Sequence, residues 1–370
     1  MKTQPAKRIS EVISLYKKRL IYLAVLLILI LLFYLLRNDR VVMNFMTDYV
    51  AYPIRSSLAT LFSFTDWSVA EWMVVGAMAG AALFIVFLAV SLIRHRRQIP
   101  LVLFRYLTFG AAVVLTVIML MDLTWNVNYQ ADGFQQKSGV TAREISVSEL
   151  YTTTKLFAER LAADSTKVAR DGNGLYAEDT DAAFAASSTI YRGVEAKFPF
   201  LKGTELRSKK VLFSRVMSRL KITGVAFPFT GEANINIHQP DAWIPATIAH
   251  EIAHQRKIAP EQDANFVAIL ACDLSGNNAY RYSGDLLAYG YLADALSGVD
   301  RAGYLEIEQT LPAGVRADLK YNHDYWQQFN GRAAEMSDSV NDRFLKSNGQ
   351  RMGTRSYGAV VDLLVAYYLK

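Results

Sequence analysis

A chain of 370 residues with 52% hydrophobic residues is too long for one small domain and too apolar for an ordinary soluble one. Its single cysteine, Cys272, excludes an internal disulfide framework and a zinc site built on thiolates. The net charge of +6 is modest, and much of the basic excess flanks apolar segments, which reads as membrane topology and not as nucleic-acid binding.

Three apolar runs open the chain. Residues 20–36 and 72–93 carry no charge, and a shorter third run at 106–123 extends at both ends. A bilayer core of about 30 Å takes about 20 apolar residues as a helix, so each run is predicted to span. The first is too long for a signal-peptide core, and Arg37-Asn38-Asp39-Arg40 is not a small-residue cleavage site, so the segment is expected to be retained. Lys7, Arg8, Lys17, Lys18 and Arg19 precede the first run, and Arg94, Arg96 and Arg97 separate the second from the third. The bias of Lys and Arg toward the inner side places both groups in the cytoplasm. The N-terminus is then cytoplasmic, and the loop 37–71 and everything after Asp122 lie outside a bacterial cytoplasmic membrane. Trp67, Trp72 and Trp125 fall near span ends, where indole rings favour the interface.

From about Asn126 no stretch can cross a bilayer. The chain divides on this reading into an anchor at 1–125 and an extracytoplasmic domain at 126–370. Helical patterns occur at 140–163, 180–198 and 304–311, whereas 225–238 alternates Asn and Ile with period 2 and reads as a strand. Pro228 and Gly231 argue for an irregular start or a sheet edge there. The expected fold is an α-helical anchor of three transmembrane helices plus a mainly α (α+β) soluble domain with a small sheet or edge strand.

The chemistry centres on His250-Glu251-Ile252-Ala253-His254, in a segment of helix formers that begins at Pro245. Residues four apart share a helix face, so both imidazoles can reach one ion, while Ile248 and Ile252 turn to the core. Glu251, beside that stripe, is placed to take a proton from a water and not to ligate. Zinc then needs a third protein ligand, with the fourth position left to water. Glu261 supplies one if a turn at 257–260 folds a second helix back; Asp263 is the rival, and Asn265, one turn after Glu261, can hydrogen-bond a ligating histidine. The strand Glu232, Ala233, Asn234, Ile235, Asn236 is either a substrate-holding edge strand or an ordinary core strand. Tyr282, Tyr289 and His323 are possible donors to a developing oxyanion. His238 reads as a strand-end surface residue.

His250 to Gln255 followed by Glu261-Gln262-Asp263-Ala264-Asn265-Phe266 resembles the gluzincin branch of zinc peptidases. More closely, the chain is similar to a bacterial membrane family catalogued as domain of unknown function 3810. That likeness includes Trp125-Asn126-Val127-Asn128-Tyr129, Phe229-Thr230-Gly231-Glu232-Ala233-Asn234, Arg281-Tyr282-Ser283-Gly284, the stretch from Asn341 to Lys346, and Ser356-Tyr357-Gly358. The gluzincin resemblance implies a zincin-like domain holding one Zn2+ on His250, His254 and Glu261, with Glu251 as general base. One departure is the short interval between His254 and Glu261. A protein or peptide substrate and a lipid bilayer are the expected partners, with no nucleic acid. The competing expectation is a non-proteolytic zinc-binding membrane sensor or assembly factor, which needs the ligands but not Glu251. Asp241, Gln255, Arg256 and Lys257 around the motif speak against a site inside the bilayer.

Overall fold

The structure, a computed structural model, describes residues 4–350 and 358–369. Ser356 and Tyr357 of the last family motif lie outside the described residues. Among those described, three helical stretches are long and apolar enough to cross a membrane: Ser14–Leu36, Val69–Arg94 and Arg96–Gln130. Most of their apolar side chains are covered by no other part of the protein, as lipid-facing surface requires. Polar groups within them find partners on neighbouring spans. Tyr22 Oη and Thr116 Oγ1 lie 2.7 Å apart, Ser91 Oγ and Tyr106 Oη 2.8 Å, and Arg19 Nη1 donates to the Arg105 carbonyl at 2.9 Å. Such bonds replace the water that a bilayer core lacks.

The third of these stretches continues past its apolar run. Its α-helix, Ile99–Met121, runs through a π-helical turn, Asp122–Asn126, into Val127–Gln130. Side chains satisfy carbonyls along this stretch: Thr124 Oγ1 donates to Leu120 O, and Asn128 Nδ2 donates to Thr124 O and Trp125 O. The segment between the first two spans, expected only as an outside loop, is helical at Arg40–Met46 and Tyr52–Leu61 and docks on the later half of the chain. Asp48 pairs with Lys257 at 2.8 Å, and the Glu232 carboxylate accepts from the amides of Val69 and Ala70 at the start of the second span. An acidic group at a helix N-terminus meets unpaired N–H groups and the positive end of the dipole.

The later half is helical around a three-stranded sheet. The segment expected as one strand at 225–238 is two: β2 (Gly224–Phe227) and β3 (Glu232–Asn236) form an antiparallel pair, and β1 (Lys209–Val211) joins β3 in parallel. Gly231 makes the turn at φ 67°, with its Cα so close to Arg55 that a Cβ would lie 2.2 Å from the Arg55 carbonyl oxygen. The order β1-β3-β2 corrects the edge-strand expectation for Glu232 to Asn236. Both edges of β3 are paired and all five residues are buried, so it is a core strand. The free edge belongs to β2, which no strand pairs on its other side among the described residues.

Helix boundaries shift where local signals were misjudged. The helix expected from 140 begins at Val147, because Ser146 caps it in a reciprocal box with Glu149. The pattern at 180–198 breaks into Thr180–Ala186 and Arg192–Lys197. Ile248 and Ile252 sit in one contiguous core with Phe266, Leu270 and the single cysteine, Cys272.

Candidate metal centre

Pro245 opens the helix Ile244–Gln255, which buries Ile248 and Ile252 and leaves His250 and His254 one turn apart on the other face. The chain then reverses over two residues. Ile258 N donates to Ala253 O and Lys257 N to His254 O, with Lys257 in the left-handed region at φ 74°. This is a Schellman ending with lysine where glycine is usual. Lys257 keeps a second role there, since its ammonium reaches Asp48 and the ring of Tyr52. The turn brings the Ile258 carbonyl to His254 Nδ1 at 2.7 Å. A carbonyl only accepts, so Nδ1 carries the proton and Nε2 is left with its lone pair for a metal.

After Pro260 the helix Glu261–Leu274 packs back along the first, and its leading carboxylate meets both rings. Glu261 Oε2 lies 3.3 Å from His250 Nε2, and Oε1 lies 3.6 Å from His254 Nε2. Two ligands each about 2.1 Å from one tetrahedral ion are about 3.4 Å apart, so this spacing fits a shared cation. Among the described residues, these three form a group whose ligand atoms all lie within 4.8 Å of one another. Asp263, the rival ligand, is turned away. It accepts from Phe134 N at 3.2 Å and from Gln135 Nε2 at 2.9 Å. Asn265 is buried one turn beyond Glu261 and close to His250, with its Nδ2 and His250 Nδ1 both without a hydrogen-bond partner among the described residues.

The electrostatics favour positive charge between these groups. Burial pushes His254 down to about 4 against the opposing pull of Glu261, which keeps its ring neutral. Burial alone would lower His250 too, but the hydrogen bond and charge of Glu261 reverse this and hold it up at about 9. Burial would raise Glu261, yet His254 and His250 outweigh it and keep that carboxyl below its ordinary range. Glu251, not part of the converging trio, is pushed up to about 7, chiefly by burial and further by Glu261, with His250 opposing. It is seated beneath β2, where Ala226 N donates to it. A Cβ on Gly224 would lie 2.5 Å from Glu251 Oε1, so the strand approaches the carboxylate this closely only because that residue is glycine.

Two residues behind the site carried no such signal in the sequence. The Trp125 ring meets His254 edge-on at 5.5 Å, and the buried Arg55 guanidinium lies 5.6 Å from the Trp125 ring centre. Arg55 Nη1 also donates to the His254 carbonyl at 3.2 Å, a cation at the negative end of the motif helix. Burial lowers its pKa to about 10. Trp125 read only as an interface anchor, and Arg55 stood 199 positions from its partner.

His250, Glu251, His254, Glu261 and Asn265 share the wall of a cleft of about 1030 Å³, together with β2. The three expected oxyanion donors are not in that wall. Tyr282 is buried and bonded to Asp318 Oδ2 at 2.5 Å and to Arg170 Nη2 at 2.9 Å. Tyr289 is buried elsewhere, and His323 is exposed on a helix whose Asn322 and Trp326 face the cleft instead. Tyr291, one turn from Leu287, does line it. His238 is a structural residue, its Nδ1 2.8 Å from Tyr325 Oη.

Residues 47–365 match the family described as Protein of unknown function (DUF3810). The chain belongs to that family. The match takes in the docked segment with Asp48 and Arg55, the second and third spans, and the whole candidate centre. No curated protein and no solved structure matches the chain.

Proposed function

We propose that this DUF3810 chain is a membrane-anchored zinc metallopeptidase. The observation that carries the reading is the convergence of His250, His254 and the Glu261 carboxylate, with ligand atoms all within 4.8 Å of one another and the buried Glu251 beside them in an open cleft. His250, His254 and Glu261 would hold the ion and leave its fourth position to solvent, as catalytic zinc sites do and closed structural sites do not. Bound Zn2+ supplies Lewis acidity toward a carbonyl and a lowered pKa for a coordinated water.

The remaining chemistry belongs to the chain. Glu251 accepts the proton of the attacking water and delivers it to the leaving amine. Its apolar seat favours the protonated form after the first transfer. The outer edge of β2, where Ala226 N is already engaged by Glu251, leaves its remaining backbone groups to an extended peptide laid across the cleft, the role that the edge-strand alternative gave to Glu232 to Asn236. Tyr129 and Tyr291 are the tyrosines of the cleft wall, from which a hydroxyl would reach the developing oxyanion. The basic residues Lys17, Lys18 and Arg19 before the first span, and Arg94, Arg96 and Arg97 between the second and third, support an orientation with the N-terminus cytoplasmic and the metal centre outside a bacterial cytoplasmic membrane.

The test is a peptide-library cleavage assay on the full-length protein in detergent, wild type against Glu251→Gln, with zinc measured in both. The variant is expected to keep its zinc and to cleave about 100 to 10,000 times more slowly, the usual worth of a positioned acid–base group. Retained zinc with no cleavage by the wild type favours the non-proteolytic sensor or assembly factor.

A further inference from the structure

The cleft is not built by the later half of the chain alone. Met121, Trp125 and Tyr129 line it, successive turns of the one continuous helix that forms the third span. The apolar run of the third span ends at Met121, with the acidic Asp122 next. Met121 therefore stands at the outer boundary of the hydrocarbon, and Trp125 about one turn above it. Trp125 in turn touches His254 edge-on. No linker separates the bilayer from the metal centre. The site sits beside Trp125, roughly one helical turn, about 6 Å, above the hydrocarbon edge.

A second, independent feature seats the protein in the interface. The helical segment that follows the first span presents Val41, Phe45 and Tyr49 along one stripe, 79%, 57% and 72% exposed. Large side chains left bare four residues apart, immediately after a membrane span, belong at the headgroup level, where apolar and aromatic groups are stable. The wall of the cleft contributed by the helix Arg332–Ser347 also carries bare apolar side chains, Met336 67% and Val340 61% exposed, beside the polar Ser337, Asp338 and Asn341.

We propose that the substrate is the juxtamembrane segment of another membrane protein: a chain that leaves the bilayer beside the third span, unwinds, and pairs with the free edge of β2 within a few residues of its own membrane helix. This rests on the peptidase reading. It follows from three placements: the cleft floor begins at the hydrocarbon boundary, its far wall takes apolar side chains, and its open strand edge takes extended backbone. A soluble polypeptide would have to approach along the headgroups to reach the same groups.

The experiment uses the full-length protein with zinc in proteoliposomes. A sequence cut in the peptide library is presented three ways: about 5 residues beyond a single membrane helix, about 40 residues beyond the same helix, and as a free peptide. The two tethered forms share the same two-dimensional concentration, so their ratio isolates distance from the membrane. The near site is expected to be cut about ten or more times faster than the far one, and Met336→Glu/Val340→Glu is expected to reduce that ratio. Equal rates at the two positions, or faster cutting of the far site, overturn the juxtamembrane proposal while leaving the peptidase reading intact. A library in which no sequence is cut, with zinc bound, overturns both.

Discussion

Glu261 faces the two histidines, whereas Asp263 accepts hydrogen bonds from Phe134 N and Gln135 Nε2. Two positions on a helix differ by about 200° around the axis, so carboxylates spaced this way cannot serve one ion together. Their substitutions should therefore separate. Glu261→Ala is expected to abolish stoichiometric zinc binding, because it removes the proposed third ligand. Asp263→Ala is expected to retain one zinc and to lose about 1 to 3 kcal/mol of stability, because it strands the Phe134 amide in the core. Metal analysis and thermal denaturation of the two variants side by side check this. The histidine pair and Glu261 were readable in the sequence because twelve consecutive residues with one turn among them carry them all. Tyr282 and Tyr289 were not separable from the other tyrosines, since only tertiary packing turns Tyr282 toward Asp318 and away from the cleft.

The motif helix Ile244–Gln255 is held at its C-terminal end by a residue from a different part of the chain. Arg55, from Tyr52–Leu61, donates to the His254 carbonyl and stacks over Trp125, which meets the His254 ring. Arg55→Ala is expected to leave the carbonyl and indole unsupported. Zinc affinity should fall about tenfold or more, the usual effect of losing a group that orients a ligand. Competition with a chelator of known affinity measures it, and an unchanged affinity would show the contact to be packing only. Hairpins also explain why the strand was only half legible. Alternating Asn and Ile marked β3, but the register that buries both of its faces is set by partners at Lys209–Val211 and Gly224–Phe227, which no local period reveals.

Across the whole molecule, the three spans were legible because uncharged runs of that length have one economical environment. What the sequence concealed is how closely the anchor and the metal centre are joined. Asp48 to Lys257, Glu232 to the start of the second span, Arg55 to His254 and Trp125 to His254 all cross between the regions assigned to anchor and domain. Each joins residues far apart in the chain, and none has a composition signature. The central claim is that the two imidazoles and the Glu261 carboxylate bind one hydrated cation. Zinc stoichiometry with X-ray absorption at the zinc edge, on the full-length protein, tests it most directly. The expected result is one zinc per chain with two imidazoles and two oxygen neighbours at about 2.0 Å, one of them exchangeable. No bound zinc, or a sulfur or a third imidazole in its shell, would contradict the account.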